Sequence, residues 1–167
     1  VDITTGWVNY VMSEKREQLN EEVNIKDPTG EYTQEDYQSF INFVIDELDI
    51  KNPIDVIIQS DIPDGTTAKY TRQPVDKRKI IIKNNGRKLI DMLRSIAHEL
   101  VHHKQNETGK VDDYANQFGG IPNIGGEIED EANALAGQLI KKYGEIMPQV
   151  YNENIKKDII KKILREN

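Results

Sequence analysis

The sequence predicts an α+β domain, and three observations predict it. Short β-branched runs are gathered between Ile54 and Lys83, and helical periodicity fills the chain on either side of that block. The chain has 167 residues, enough for one core, and no repeat or low-complexity tract divides it. A single domain over residues 1–167 is expected, built on a small sheet of three strands or more.

The elements follow in order. Trp7, Val8, Tyr10, Val11 and Leu19 sit among polar residues as on an amphipathic helix. Residues 20–32, with Asp27-Pro28-Thr29-Gly30, carry turn chemistry and are expected as a loop. Thr33 offers an N-cap, Glu35 and Asp36 suit the positive end of a helix dipole, and Tyr37, Phe40, Ile41, Val44, Ile45 and Leu48 recur at helical spacing, so a helix is predicted over 34–49. After Asn52-Pro53, strands are predicted over Ile54–Gln59, more weakly over Thr66–Arg72, and over Lys79–Lys83, with turns at Pro63-Asp64-Gly65 and Asn84-Asn85-Gly86. Leu89, Ile90, Met92, Leu93, Ile96, Ala97, Leu100 and Val101 make an apolar stripe wide enough for a helix buried on more than one side. Val111, Tyr114, Ala115 and Phe118 predict a short helix inside the long connection 104–126, and a further helix runs from about Glu127 to Tyr143. Pro148 breaks the chain before a last helix lined by Ile155, Ile159, Ile160, Ile163 and Leu164.

Composition narrows the function. With 37% hydrophobic and 31% charged residues and a mean hydropathy of −0.68, the chain has no apolar run long enough for a membrane span. A formal charge of −7 gives no long-range attraction to nucleic acid, so neither nucleic acid nor membrane is an expected partner. The absence of cysteine removes thiol catalysis, cysteine-ligated zinc and disulfide frameworks together. The chain begins at Val1 rather than at a methionine, which is compatible with a removed leader; Val1-Asp2-Ile3-Thr4 is not itself a signal peptide, and a cytoplasmic location is favoured.

All three histidines lie in Ser95-Ile96-Ala97-His98-Glu99-Leu100-Val101-His102-His103, two of them as HExxH. Residues four apart on an α-helix are separated by about 40° around the axis, so His98 and His102 can present imidazoles to one point, where zinc is the expected metal. Glu99 can reach beside that point and take a proton from an attacking water, which predicts a hydrolase. A fortuitous match would leave two histidines and a glutamate half buried among Ile96, Ala97, Leu100 and Val101 without a shared partner.

His103 is about 100° around the helix from His102 and is not expected to point at the same ion. No other histidine or cysteine exists, so a further protein ligand must be a carboxylate. Glu107, Asp112 and Asp113 lie too near the motif to be offered by a separate packed helix. In Glu127-Ile128-Glu129-Asp130-Glu131-Ala132-Asn133-Ala134-Leu135-Ala136, the apolar stripe is flanked by Glu129 on one side and Glu131 on the other, while Glu127 and Asp130 turn toward solvent. Periodicity leaves both Glu129 and Glu131 as candidates, and the acids of a first helical turn are also favoured by the helix dipole alone.

His98-Glu99-Leu100-Val101-His102 followed by Glu131-Ala132-Asn133-Ala134-Leu135-Ala136 resembles the small single-domain gluzincins, and most closely the ImmA/IrrE-type metallopeptidases. The resemblance covers roughly Lys88 to Tyr143 with the strand before it. It implies a zincin-like (minigluzincin) fold, zinc held by His98, His102 and Glu131, and Glu99 as the catalytic base. A resemblance to phage-encoded zincin-like proteins implies a viral origin and the host cytoplasm.

The expected function is thus zinc-dependent hydrolysis of a protein or peptide substrate, bound as an extended strand along Ile80–Ile82. The alternative is a catalytically silent zinc-binding scaffold, regulatory protein or virion component, against which the presence of Glu99 argues. Tyr114, Tyr143, Tyr70 and His103 can each donate to an oxyanion, with core packing the ordinary role of the tyrosines and solvent exposure that of His103. The basic cluster Lys77, Arg78, Lys79, Lys83, Arg87 and Lys88 is expected to be solvated surface.

Overall fold

The structure, a computed structural model, describes residues 23–28, 30, 32–72, 77–119, 126–151 and 163–165. The helix expected from Trp7 to Leu19 lies outside them, as does most of the last one. Among the described residues the order is β1 (Val23–Lys26), α1 (Gln34–Leu48), β2 (Ile54–Gln59), β3 (Ala68–Thr71), β4 (Lys79–Lys83), α2 (Leu89–Glu107), α3 (Lys110–Phe118) and α4 (Glu127–Ile146), then a 3-10 turn at Pro148–Tyr151. This is an α+β arrangement on one mixed sheet, ordered β1-β2-β4-β3. β1, β2 and β4 run parallel, while β3 pairs antiparallel to β4 at the edge.

The sheet has four strands because Val23–Lys26, expected as part of a loop, pairs in parallel with Ile54–Ile57. Four residues are too few to show an alternation, and a parallel partner thirty-one positions away supplies the hydrogen bonds that local sequence cannot announce. Ile25, Val56 and Ile80 stand in register, with Ile58 beside Ile82, and all are buried. Ala68 and Tyr70, paired with Ile82 and Ile80, extend that face to the edge and pack against the core.

Helices α1, α2 and α4 supply the rest of the core. Thr33 and Asp36 form a reciprocal capping box at the start of α1, and Tyr37, Phe40, Ile41, Val44 and Ile45 follow on its buried face. Each such side chain contributes about 1.5–3 kcal/mol on burial. On α2, Met92, Leu93, Ile96, Ala97 and Leu100 are fully buried, and α4 lays Ile128, Ala132 and Ala136 against it. The small Ala132 and Ala136 permit close approach of the two helices. Lys104 fastens the far end of α2 by donating to the Asp49 carbonyl 2.7 Å away.

Arg87 fastens the near end. Its guanidinium donates to the carbonyls of Thr67, Lys83 and Asp91 and to Ser95 Oγ. One planar fork thereby joins the start of β3, the end of β4 and the first turns of α2. The basic cluster therefore includes a structural member, while Lys83 pairs at the surface with Asp61. No helix among the described residues is long and apolar enough to cross a membrane.

Candidate metal centre

His98 and His102 lie on consecutive turns of α2 and face the first turns of α4. Their Nε2 atoms are 3.1 Å apart. Glu129 of α4 completes the group, with Oε2 3.2 Å from His98 Nε2 and Oε1 2.9 Å from His102 Nε2. These three residues form a group that could hold a metal ion.

The resemblance to gluzincins assigned the third position to Glu131, and the structure corrects it. Glu131 is turned to the other flank of α4, where Lys110 Nζ donates to its Oε2 and Gln105 Nε2 donates to its Oε1 at 3.1 Å. The physical reason is the packing of Ile128, Ala132 and Ala136 on α2, which sends one flank of α4 toward His98 and the other toward α3. Helical periodicity identified both flanks but not which one meets the histidines. Asn133, one turn beyond Glu129 on the same side, lines the cleft with it. Glu127 and Asp130 are exposed, as expected.

The donor set fits a cation. Gln105 Oε1 lies 2.8 Å from His102 Nδ1, so in the neutral ring the proton sits on Nδ1 and the Nε2 lone pair faces Glu129. A lone pair facing a carboxylate oxygen at 2.9 Å is repulsive, and positive charge between them, a proton or a metal ion, removes the repulsion. The 3.1 Å between the two Nε2 atoms also approaches the value of about 3.3 Å that tetrahedral bonds of zinc length impose between neighbouring ligands. Burial, and then the neighbouring His102, push the His98 imidazole below its ordinary range, which favours the neutral form a metal needs, although Glu129 and Asn133 pull the other way.

Glu99 is only 7% exposed and points toward the same cleft without joining the group. Burial first, and the charge of Glu129 second, push its carboxyl up to about 7. A carboxyl poised there exchanges protons readily at neutral pH.

The cleft has a volume of about 520 Å³. It is lined by Thr66 and Thr67 just before β3, by Ala68 at its start, and by Arg94, Ser95 and Asn133 from the two helices. Among the described residues, the edge strand that borders the cleft is β3. Ile80–Ile82, expected to receive substrate, lies between β2 and β3 and has no free edge.

None of the four residues considered as oxyanion donors lines the cleft. Tyr143 is buried between Phe40 and Phe43 and donates to Ser39 Oγ. Tyr114 stacks on Phe118 of the same helix. His103 is fully buried rather than solvated: its Nε2 donates to the Asn52 carbonyl at 3.0 Å, leaving Nδ1 to accept from the Tyr70 hydroxyl at 2.9 Å. Burial holds that imidazole below the ordinary histidine range. The donors that do line the cleft, Arg94 and Asn133, were missed; their positions one turn before His98 and one turn after Glu129 were the available signal.

The chain matches no known family, no curated protein and no solved structure.

Proposed function

We propose that the protein is a zinc-dependent peptidase with a small zincin-like fold. The observation that carries the reading is the convergence of His98 Nε2, His102 Nε2 and a Glu129 carboxylate beside a buried glutamate that is not part of the group. Zinc held there would supply a Lewis acid for attack of water on an amide carbonyl. Glu99 takes the proton of the attacking water and delivers it to the amide nitrogen as the C–N bond breaks, which returns Glu99 to its starting state. Asn133 and Arg94 line the same cleft and can donate to the oxygen on which negative charge develops. An extended peptide would add to the edge of β3 through main-chain hydrogen bonds, which selects backbone shape before side-chain identity.

The test is digestion of an unfolded protein by the zinc-loaded chain, by its Glu99→Gln variant and by the chain treated with chelator, with metal content measured in parallel. The wild type should cleave; the variant should keep zinc and lose about 10²-fold or more in rate. A zinc-loaded wild type that cleaves nothing, itself included, would replace the peptidase with a zinc-binding scaffold.

A further inference from the structure

Gln105 takes no part in the reaction proposed above, yet it is 3% exposed and its whole amide is engaged. Its Nε2 lies 3.0 Å from the Ile128 carbonyl and 3.1 Å from Glu131 Oε1. Both partners can only accept, so the amide must turn its NH2 to them and its Oε1 to His102 Nδ1. The orientation of Gln105 thus determines the tautomer of His102, with the proton on Nδ1 and the lone pair on Nε2. A free imidazole ordinarily prefers the opposite arrangement.

Glu131 is held in turn. Lys110 Nζ donates to its second oxygen. Lys110 opens α3 directly after Gly109, whose φ of +79° lies in the left-handed region that favours glycine. Two residues on, Asp112 of α3 pairs with Arg72, just past the end of β3, at 2.8 Å. Charge placement accounts for the use of an amide. A carboxylate at position 105 would bring a further negative charge close to Glu129 and Glu99. The neutral amide instead moves the charge one step outward, to Glu131, where Lys110 neutralises it.

We infer that Gln105, Glu131 and Lys110 form a positioning chain that selects the Nδ1–H tautomer of His102 and aims its Nε2 lone pair at the metal position. The inference rests on the metal site proposed above, but its first readout needs no metal.

That readout is the ¹⁵N shifts of the His102 ring, measured by NMR at pH 8 on the metal-free chain in a Glu129→Gln background, whose neutral amide faces Nε2 without drawing a proton onto it. That background alone should show the Nδ1–H form, and with Gln105→Ala added a mixture of tautomers. Glu131→Ala and Lys110→Met alter half-exposed side chains; they should keep the thermal midpoint of the metal-free protein while raising the Nε2–H share. Zinc affinity, measured by competition with a chromophoric chelator, should fall about 10–100-fold in Gln105→Ala. Adding Glu131→Ala to that variant should cost less than about twofold more, because Glu131 acts through Gln105. The Nε2–H form in the Glu129→Gln background, or additive losses from the two substitutions, would overturn the chain. Zinc affinity unchanged across all variants would overturn it and leave the peptidase reading intact. The Nδ1–H form in that background, together with a wild type that holds no zinc, would sink the peptidase reading while supporting the tautomer selection.

Discussion

Glu129 Oε1 stands 2.9 Å from His102 Nε2, while Glu131, two residues along the same helix, faces away from both histidines and pairs with Lys110. The two carboxylates have separate tasks. One completes a three-donor group, and the other orients the amide that orients a donor. The site depends on α4 being seated on α2 by Ile128, Ala132 and Ala136, since rotation of α4 would exchange the two flanks.

The His103–Tyr70 pair predicts a stability effect without a metal effect. In Tyr70→Phe the buried His103 Nδ1 loses its donor, and an unsatisfied buried acceptor costs about 1–3 kcal/mol. Urea unfolding of the metal-free variant should show that loss. Zinc binding to the folded variant should stay within a few-fold of wild type, because neither residue belongs to the metal group.

Tyr37 predicts an alkaline limit to stability. Burial, and then the charge of Asp27, raise its hydroxyl far above the ordinary value of 10.0. A raised folded pKa means that the folded state holds its proton while the unfolded state releases it. Stability from this group is therefore complete below pH 10 and falls as pH rises through and beyond the unfolded value. Unfolding free energies of wild type and Tyr37→Phe, compared at pH 9 and pH 11, should show the smaller alkaline loss in the variant. Equal losses would remove Tyr37 from the account.

The position of β3 at the sheet edge among the described residues predicts how a peptide is read. Substrate seated by strand addition needs its own main-chain N–H groups. An extended peptide N-methylated at alternate residues should compete for cleavage much more weakly than its unmethylated parent, with side chains unchanged. Equal competition would place the substrate elsewhere than on β3.

Much of this arrangement was legible in the sequence. Ile54–Gln59 and Lys79–Lys83 read as strands because β-branched residues cluster there, and Thr33 announced α1 through its capping chemistry. His98, Glu99 and His102 were legible because the helical repeat alone brings the two histidines to one side. Long-range relationships were hidden. Val23–Lys26 becomes a strand only through its parallel neighbour, and β4 is internal only because β3 folds back on it. The choice between Glu129 and Glu131 depends on which flank of α4 faces α2, a matter of packing between elements that periodicity within one element does not contain. His103 was misjudged for the same reason: its partners Asn52 and Tyr70 come from distant segments.

The most direct measurement is the zinc dissociation constant of the wild type, Glu129→Ala and Glu131→Ala, each folded by circular dichroism and titrated against the same chelator. Removal of a ligand should weaken binding by more than the roughly 10–100-fold expected for an outer-shell residue, so Glu129→Ala should bind zinc far more weakly than Glu131→Ala. Wild-type affinity in Glu129→Ala, together with loss of zinc in Glu131→Ala, would contradict a metal centre formed by His98, His102 and Glu129.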